Sequence, residues 1–323
     1  MQTVLVTGGA GFIGSNLVEA LLKRRTIGKV ICVDNLDPFY EPAFKKQNVK
    51  PFLTNKKFRF YKTDIRNRPA LEKIFKNEQP TFVVHLAAKT DTRRAVKEPE
   101  EYESVNITGT LNILELSKEY KVKKLIFISS SSVYGNSATP PFSESDVTDF
   151  PISPYGATKK AGEILAYTYF YNFGLPITCL RLFNVYGERN RPDLVIYKWV
   201  ENILHNRSIE MSGVGKRCRD FTYIGDVVRA ILLSLRKGKG YEIINIGNSR
   251  PVSLAVLLNH IEKSIGKKAV VMPRPSNRAS VESTYADIRK AKKILGWEPE
   301  VGLEEGLSKF VTWLRKNRFK DIV

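Results

Sequence analysis

A strand-like run, Thr3-Val4-Leu5-Val6, leads directly into Thr7-Gly8-Gly9-Ala10-Gly11-Phe12-Ile13-Gly14, and an amphipathic stretch follows. Ile13, Leu17 and Leu21 fall at i, i+4 and i+8, so they share one helix face. The glycines at 8, 11 and 14 therefore stand where a strand turns into a helix. The first permits the tight turn. The second removes a side chain so that the backbone can approach a pyrophosphate, and the third lets helix and strand pack closely. The helix start adds free N–H groups and the positive end of its dipole. About twenty residues on, the second strand ends at Val33-Asp34-Asn35. A carboxylate at Asp34 binds both ribose hydroxyls and repels a 2′-phosphate, which points to NAD rather than NADP. Gly8, Gly11, Phe12, Ile13, Gly14, Asp34 and Asn35 are the first candidate cofactor-binding residues.

The next hundred residues extend that unit. Strands are expected at Thr3–Thr7, Lys29–Asp34, Phe58–Lys62, Thr81–Leu86 and Lys124–Ser129, with helices over Phe12–Arg24, Ala70–Phe75 and Val105–Tyr120. Short apolar strands alternating with helices predict parallel βαβ units covered on both faces. Ser153-Pro154 supplies a helix cap and a proline for the first helical position, and Ile177–Leu182 reads as the strand that follows that helix. Beyond about residue 183 the segments shorten and turns crowd in. The expected architecture is α/β: a Rossmann-type, doubly wound parallel sheet over 1–182, with a smaller C-terminal α/β substrate domain over 183–323. Part of the latter is expected to return to the main sheet.

Asp64 and Ile65 follow the third strand, and His85-Leu86-Ala87-Ala88-Lys89 closes the fourth. Small residues at a strand's carboxyl end leave room for a cofactor, so Asp64, Ile65, Leu86, Ala87 and Ala88 join the candidates. His85 reads as a packed core histidine. The fifth strand ends in Ser129-Ser130-Ser131-Ser132, and Tyr155-Gly156-Ala157-Thr158-Lys159 comes downstream. Tyr155 and Lys159 lie on one helix face at i, i+4. A phenol has a pKa near 10, too high for a base at neutral pH. An ammonium beside it, and a place in the first helical turn, favour the phenolate. Ser130 can hold a substrate oxygen. Ser130, Tyr155 and Lys159 are the candidate catalytic residues, and Ser129, Tyr155 and Lys159 also border the cofactor.

The formal net charge of +19 favours anionic partners. The basic residues are scattered, without a basic tail or the aromatic stripe of single-strand binders, so no nucleic acid is expected as partner. No apolar stretch approaches the roughly 18 residues of a membrane span, and no signal peptide is evident, which reads as cytoplasmic. Cys32, Cys179 and Cys218 have neither metal-ligand nor disulfide spacing, and no metal is expected.

These motifs resemble the extended short-chain dehydrogenase/reductases. The likeness continues through Arg181-Leu182-Phe183-Asn184-Val185-Tyr186-Gly187, Arg219-Asp220-Phe221-Thr222-Tyr223-Ile224-Gly225-Asp226, Tyr285-Ala286-Asp287 and Leu295-Gly296-Trp297-Glu298-Pro299. Within that family the chain is most similar to the nucleotide-sugar 4-epimerases. The resemblance implies bound NAD, a UDP-sugar substrate held by the C-terminal domain, a 4-keto intermediate and a homodimer built on helices near 103–120 and 155–173. It assigns Tyr155 as the base at the 4-hydroxyl, Lys159 to the nicotinamide ribose and Ser130 to the 4-oxygen. Dehydratase and decarboxylase relatives carry a carboxylate where this chain has Ser131 or Ser132, which favours plain epimerisation.

The choice of substrate also rests on the resemblance. Val185-Tyr186-Gly187-Glu188-Arg189-Asn190-Arg191-Pro192-Asp193-Leu194 is similar to the stretch in UDP-glucuronate 4-epimerases whose arginine faces the C6 carboxylate, and Arg191 matches that arginine. On the other reading Arg191 is a loop arginine paired with Asp193 or Glu188. Asn184 resembles the asparagine of UDP-galactose 4-epimerases rather than the threonine of the uronate enzymes. Thr284 stands where hexose-restricted epimerases carry a tyrosine, leaving room for a 2-acetamido group. Arg219 matches a phosphate-contacting arginine, and Arg278 lies one place from another. Ser130, Ser131, Asn184, Arg191, Arg219, Arg278 and Thr284 are thus the substrate-binding candidates. UDP-glucuronate is the favoured substrate, with UDP-glucose or its N-acetyl relative as the alternative. A non-catalytic NAD-binding regulator is a remoter one.

Overall fold

The computed structural model of the chain describes residues 1–136, 139–212, 215–274 and 283–319. Seven strands form one sheet. In chain order they are β1 (Gln2–Thr7), β2 (Ile27–Asp34), β3 (Phe58–Lys62), β4 (Phe82–His85), β5 (Lys124–Ser130) and β6 (Ile177–Leu182). The seventh comes much later in the chain. Short strands β7 (Asn184–Tyr186), β8 (Ile209–Ser212) and β9 (Cys218–Tyr223) intervene, then β10 (Tyr241–Ile246) joins the sheet beside β6. The order is β10-β6-β5-β4-β1-β2-β3, and every pairing is parallel. Helices bury the apolar residues of both faces in two clusters, as a parallel sheet requires. The chain reverses its direction of winding between β1 and β4, and in such sheets ligands sit beyond the strand ends at that point.

The expected strands are present within two residues at each end. Two helices differ. The one read at Ala70–Phe75 runs over Arg68–Glu78, because Asn67 accepts from the Ala70 N–H and Pro69 occupies the first turn. The one read from Val105 begins with a wide π-type turn, Ser104–Thr108, and becomes α-helical at Gly109. The turn holds buried Asn106, which accepts from the Lys89 N–H (2.8 Å) and donates to the Lys89 carbonyl (3.0 Å). It thereby ties the loop after β4 to the helix packed over it. Such turns recur at functional sites.

After β10 come β11 (Pro251–Ser253), β12 (Val271–Arg274) and β13 (Ser283–Thr284). Around β9 a second, four-stranded sheet forms: β11 pairs with it antiparallel, while β7 and β13 pair with it parallel. Strands β8 and β12 make a separate pair. Asp220 on β9 ties this sheet to its surroundings. Its buried carboxylate accepts from the backbone N–H groups of Asn248 (2.7 Å), Ser249 (3.1 Å) and Ala286 (3.0 Å). Among the described residues no helix is long and apolar enough to cross a membrane.

Candidate active site

All fifteen candidate cofactor residues line one cavity at the carboxyl ends of the main strands. The glycine turn forms its floor, and each glycine answers to a steric demand. Gly8 has φ +66, and a Cβ there would lie 2.8 Å from the Ala87 nitrogen. A Cβ on Gly14 would lie 2.2 Å from the Gly8 carbonyl oxygen and 2.7 Å from the Gly9 Cα. Side chains at those places would displace backbone rather than a flexible neighbour. The turn is closed from outside by Asp34, whose Oδ2 accepts from the Ala10 N–H (3.1 Å) and whose Oδ1 accepts from Leu36 N–H (2.8 Å). Each oxygen keeps a lone pair for a ribose. Asn35 donates to Asp64 Oδ2 (2.9 Å), and Arg66 holds the Asp64 carboxyl well below its usual range, at about 2. The glycine cradle and the Asp34 acceptors fit a dinucleotide.

Lys159 is buried against the sheet. Its Nζ donates to the Ile128 carbonyl (2.7 Å) and sits 5.0 Å from the Phe127 ring centre. Burial brings its ammonium down to about 8, opposed by Glu163 and Cys179. Burial of the hydroxyl end raises the Tyr155 phenol, opposed by a hydrogen bond with Ser130 and by the charge of Arg191. Ser130 therefore touches the phenol directly, and the cation resolved as lowering it is Arg191. Ser129 lines the cavity, but its hydroxyl donates away from it, to Glu163 (2.6 Å). His85 is a core histidine: Thr7 and Thr110 hydroxyls occupy its two ring nitrogens (2.7 and 3.0 Å), and burial lowers it to about 3.

Among the substrate candidates, Ser130, Asn184 and Arg191 line the same cavity. Arg191 does so while paired with Asp193, Nε to Oδ1 at 3.1 Å and Nη2 to Oδ2 at 2.8 Å. Its Nη1 also donates to the Thr90 hydroxyl, and the guanidinium lies 5.3 Å over the Phe39 ring. Glu188 is not its partner; that carboxylate accepts from Tyr223. Ser131 opens the short 3-10 turn after β5, outside the cavity lining. Arg219 and Thr284 also lie outside the lining, but they are register partners across β9 and β13. Asn184 pairs with Phe221, two residues along the same strand from Arg219. By the two-residue period of a strand, Asn184, Arg219 and Thr284 share one side of that sheet. Arg278 lies outside the described residues.

Among the lining residues that sequence reasoning did not name as candidates are Tyr40, Lys45, Lys89 and Thr90. Lys45 is buried, 3.9 Å from Asp34 Oδ1, and donates to the Asp37 carbonyl (3.1 Å). Lys89 pairs with Asp37 (3.0 Å) and Glu101 (2.7 Å). No local pattern marks these lysines, since their partners are brought by other elements. The crowding of Asp34 and Asp37 was the available hint, because two carboxylates this close call for cations.

The fold and its glycine-turn cavity define a dinucleotide-dependent enzyme. The chain belongs to the NAD dependent epimerase/dehydratase family, whose profile matches residues 4–247. It is 45% identical over 319 residues to a UDP-glucuronate 4-epimerase of Thermodesulfobacterium geofontis, covering 98% of this chain and 97% of that one. Among solved structures it is similar to a UDP-glucuronic acid 4-epimerase from Bacillus cereus in complex with UDP-glucuronic acid and NAD. That likeness has TM-score 0.91, 36% identity, and coverage of 98% of this chain and 99% of that one. A UDP-glucose 4-epimerase from Thermotoga maritima, solved with UDP-glucose, has TM-score 0.89 and 37% identity over 98% and 99% of the chains.

Proposed function

We propose that the protein is an NAD-dependent UDP-sugar 4-epimerase whose substrate is UDP-glucuronate, interconverted with UDP-galacturonate. The observation that carries the choice of sugar is Arg191, which lines the cavity shared by Ser130, Tyr155 and the glycine turn. A substrate carboxylate brings a full charge into a partly dry site, which is costly without a cation. Asp193 and Thr90 take three of the five guanidinium N–H groups, and the remaining two can donate to a carboxylate.

Gly8 to Gly14, Asp34 and Lys159 would hold NAD. Bound there, NAD would supply the hydride acceptor, and then donor, for the sugar C4. Tyr155 takes the proton of the 4-hydroxyl and gives it back, Ser130 hydrogen-bonds the 4-oxygen, and the 4-keto sugar turns over between the two transfers. The free phenol is raised by burial, so the base form depends on Ser130, on the cations around it and on the bound ligands. Residues 1–182, joined by β10 from later in the chain, serve the cofactor, and the rest of 183–323 supplies most of the sugar end. Asn184, Arg219 and Thr284, on one side of the second sheet, suit the uridine diphosphate and sugar 2-position. Exposed Leu111, Ile164, Tyr167 and Tyr171, on helices Gly109–Glu119 and Pro154–Phe173, support a homodimer through those helices.

UDP-glucose is the second reading, favoured by Asn184 and by the partial neutralisation of Arg191 by Asp193. Incubation with UDP-glucuronate, UDP-glucose and UDP-N-acetylglucosamine separately, with products resolved by chromatography, tests the proposal. UDP-galacturonate is the expected main product. No turnover of the uronate would overturn the substrate, and no turnover of any sugar would overturn the epimerase reading.

A further inference from the structure

One helical turn beyond Lys159, Glu163 is 1% exposed, and so is its partner Arg181 on β6. Glu163 Oε1 accepts from Ser129 Oγ (2.6 Å) and from Arg181 Nε (2.9 Å), and its Oε2 accepts from Arg181 Nη2 (2.8 Å). The guanidinium lies 4.8 Å over the Tyr134 ring, and Tyr134 donates to Asn245 on β10 (2.7 Å). The Tyr241 hydroxyl donates to the Glu163 carbonyl (2.9 Å). Three strands and one helix thus fix a charged pair that no step of the proposed reaction uses. Stability alone is a weak reason for it, because a buried ion pair is often no better than an apolar pair of equal volume.

We propose that Glu163 is a positioning residue for the active site: its carboxylate, fixed by Ser129 and Arg181 one helical turn from Lys159, holds the Lys159 side chain as an ammonium in the cavity that it lines with Tyr155. This rests on the reading of Lys159 given above. The surroundings of Lys159 leave few other sources for that effect. On its own helix the ionisable neighbours are Tyr155 and Glu163. From β4 comes His85, which burial keeps neutral, and from β5 come the Ile128 carbonyl and the Phe127 ring. From β6 come Cys179, whose thiol burial pushes well above its usual range, and Arg181, a cation turned toward Glu163. Among these described groups Glu163 is the carboxylate that opposes the desolvation of Lys159. Through Ser129 it also sets the end of β5, next to Ser130.

The test labels lysine side chains with carbon-13 in the full-length, NAD-bound protein and follows the Lys159 signal with pH. Lys159→Met identifies that signal by its loss. Glu163→Gln should move the Lys159 midpoint down by about one pH unit, and the alkaline limb of kcat should move with it. Glu163→Asp, which keeps the charge, should titrate closer to wild type than Glu163→Gln does. If Glu163→Gln fails to fold around an unpaired Arg181, Glu163→Gln with Arg181→Gln removes both charges and should still lower the midpoint. A Lys159 midpoint unmoved in a folded glutamine variant overturns the proposal, even if kcat falls. The titration needs no turnover, so it decides this point whether or not the sugar assignment holds.

Discussion

The two ends of the cavity are built from different materials. At the cofactor end the walls are backbone: a turn that tolerates no Cβ at Gly8 or Gly14, strand ends of small residues, and Asp34 clamping the turn from the neighbouring strand. At the end proposed for the sugar the lining consists of side chains delivered by separate segments. Asn184 starts β7, Arg191 stands on the loop after it, Thr90 follows β4, and Phe39 lies under the guanidinium. A backbone cradle recognises what all dinucleotides share and leaves little to adjust. A cluster of side chains can be changed one residue at a time, which is how relatives on one fold come to differ in substrate.

That contrast predicts where substitutions act. Gly14→Ala should have the largest effect, since its Cβ would meet the Gly8 carbonyl at 2.2 Å. The variant should purify without nucleotide, measured by denaturing it and assaying released NAD. Gly302→Ala, with nothing within 4 Å, should keep a full complement. Tyr155→Phe should retain NAD and the fold but lose roughly 10²–10⁴-fold in kcat, the usual range for general acid–base work. A loss below about tenfold would mean that another group takes the proton. Arg191→Ala should lower kcat/KM for UDP-glucuronate by about tenfold to a hundredfold and spare UDP-glucose, as loss of one charged hydrogen-bonding partner implies. Equal loss on both sugars would mean that Arg191 only braces its loop through Asp193. Asp34→Ala should weaken NAD by about tenfold or more, from the lost charged hydrogen bonds to the ribose, and leave UDP-sugar affinity unchanged in calorimetry. Weakening of both would erase the distinction between the two ends.

The same contrast explains what could be read from the chain. The glycine turn, Asp34 and the Tyr155–Lys159 spacing are local patterns, and every candidate cofactor residue lines the cavity. The helix expected over Ala70–Phe75 starts earlier, at Arg68, because the Asn67 cap depends on a side-chain contact with the Ala70 N–H. The sugar end depends on contacts distant in sequence. The placing of Thr284 opposite Arg219 needs the register of β13 on β9, and Thr90, beside the Lys89 backbone that Asn106 anchors, meets Arg191 from a distant part of the chain. For Arg191 the sequence leaves two readings open, one facing a C6 carboxylate and one paired in its loop. The Asp193 pair is present, and the guanidinium also lines the cavity with donors to spare. Lys45 and Lys89 escaped for the same reason as Thr90: their acidic partners lie on other elements.

The central claim is that the side chains of the sugar end select a uronate. Equimolar UDP-glucuronate and UDP-glucose offered together to the wild-type protein test it most directly, because the ratio of products formed early in the reaction is the ratio of the two kcat/KM values. The account predicts UDP-galacturonate over UDP-galactose by roughly tenfold to a hundredfold, the discrimination expected of one well-placed charged contact. A mixture dominated by UDP-galactose would contradict it and give the site to the neutral sugar.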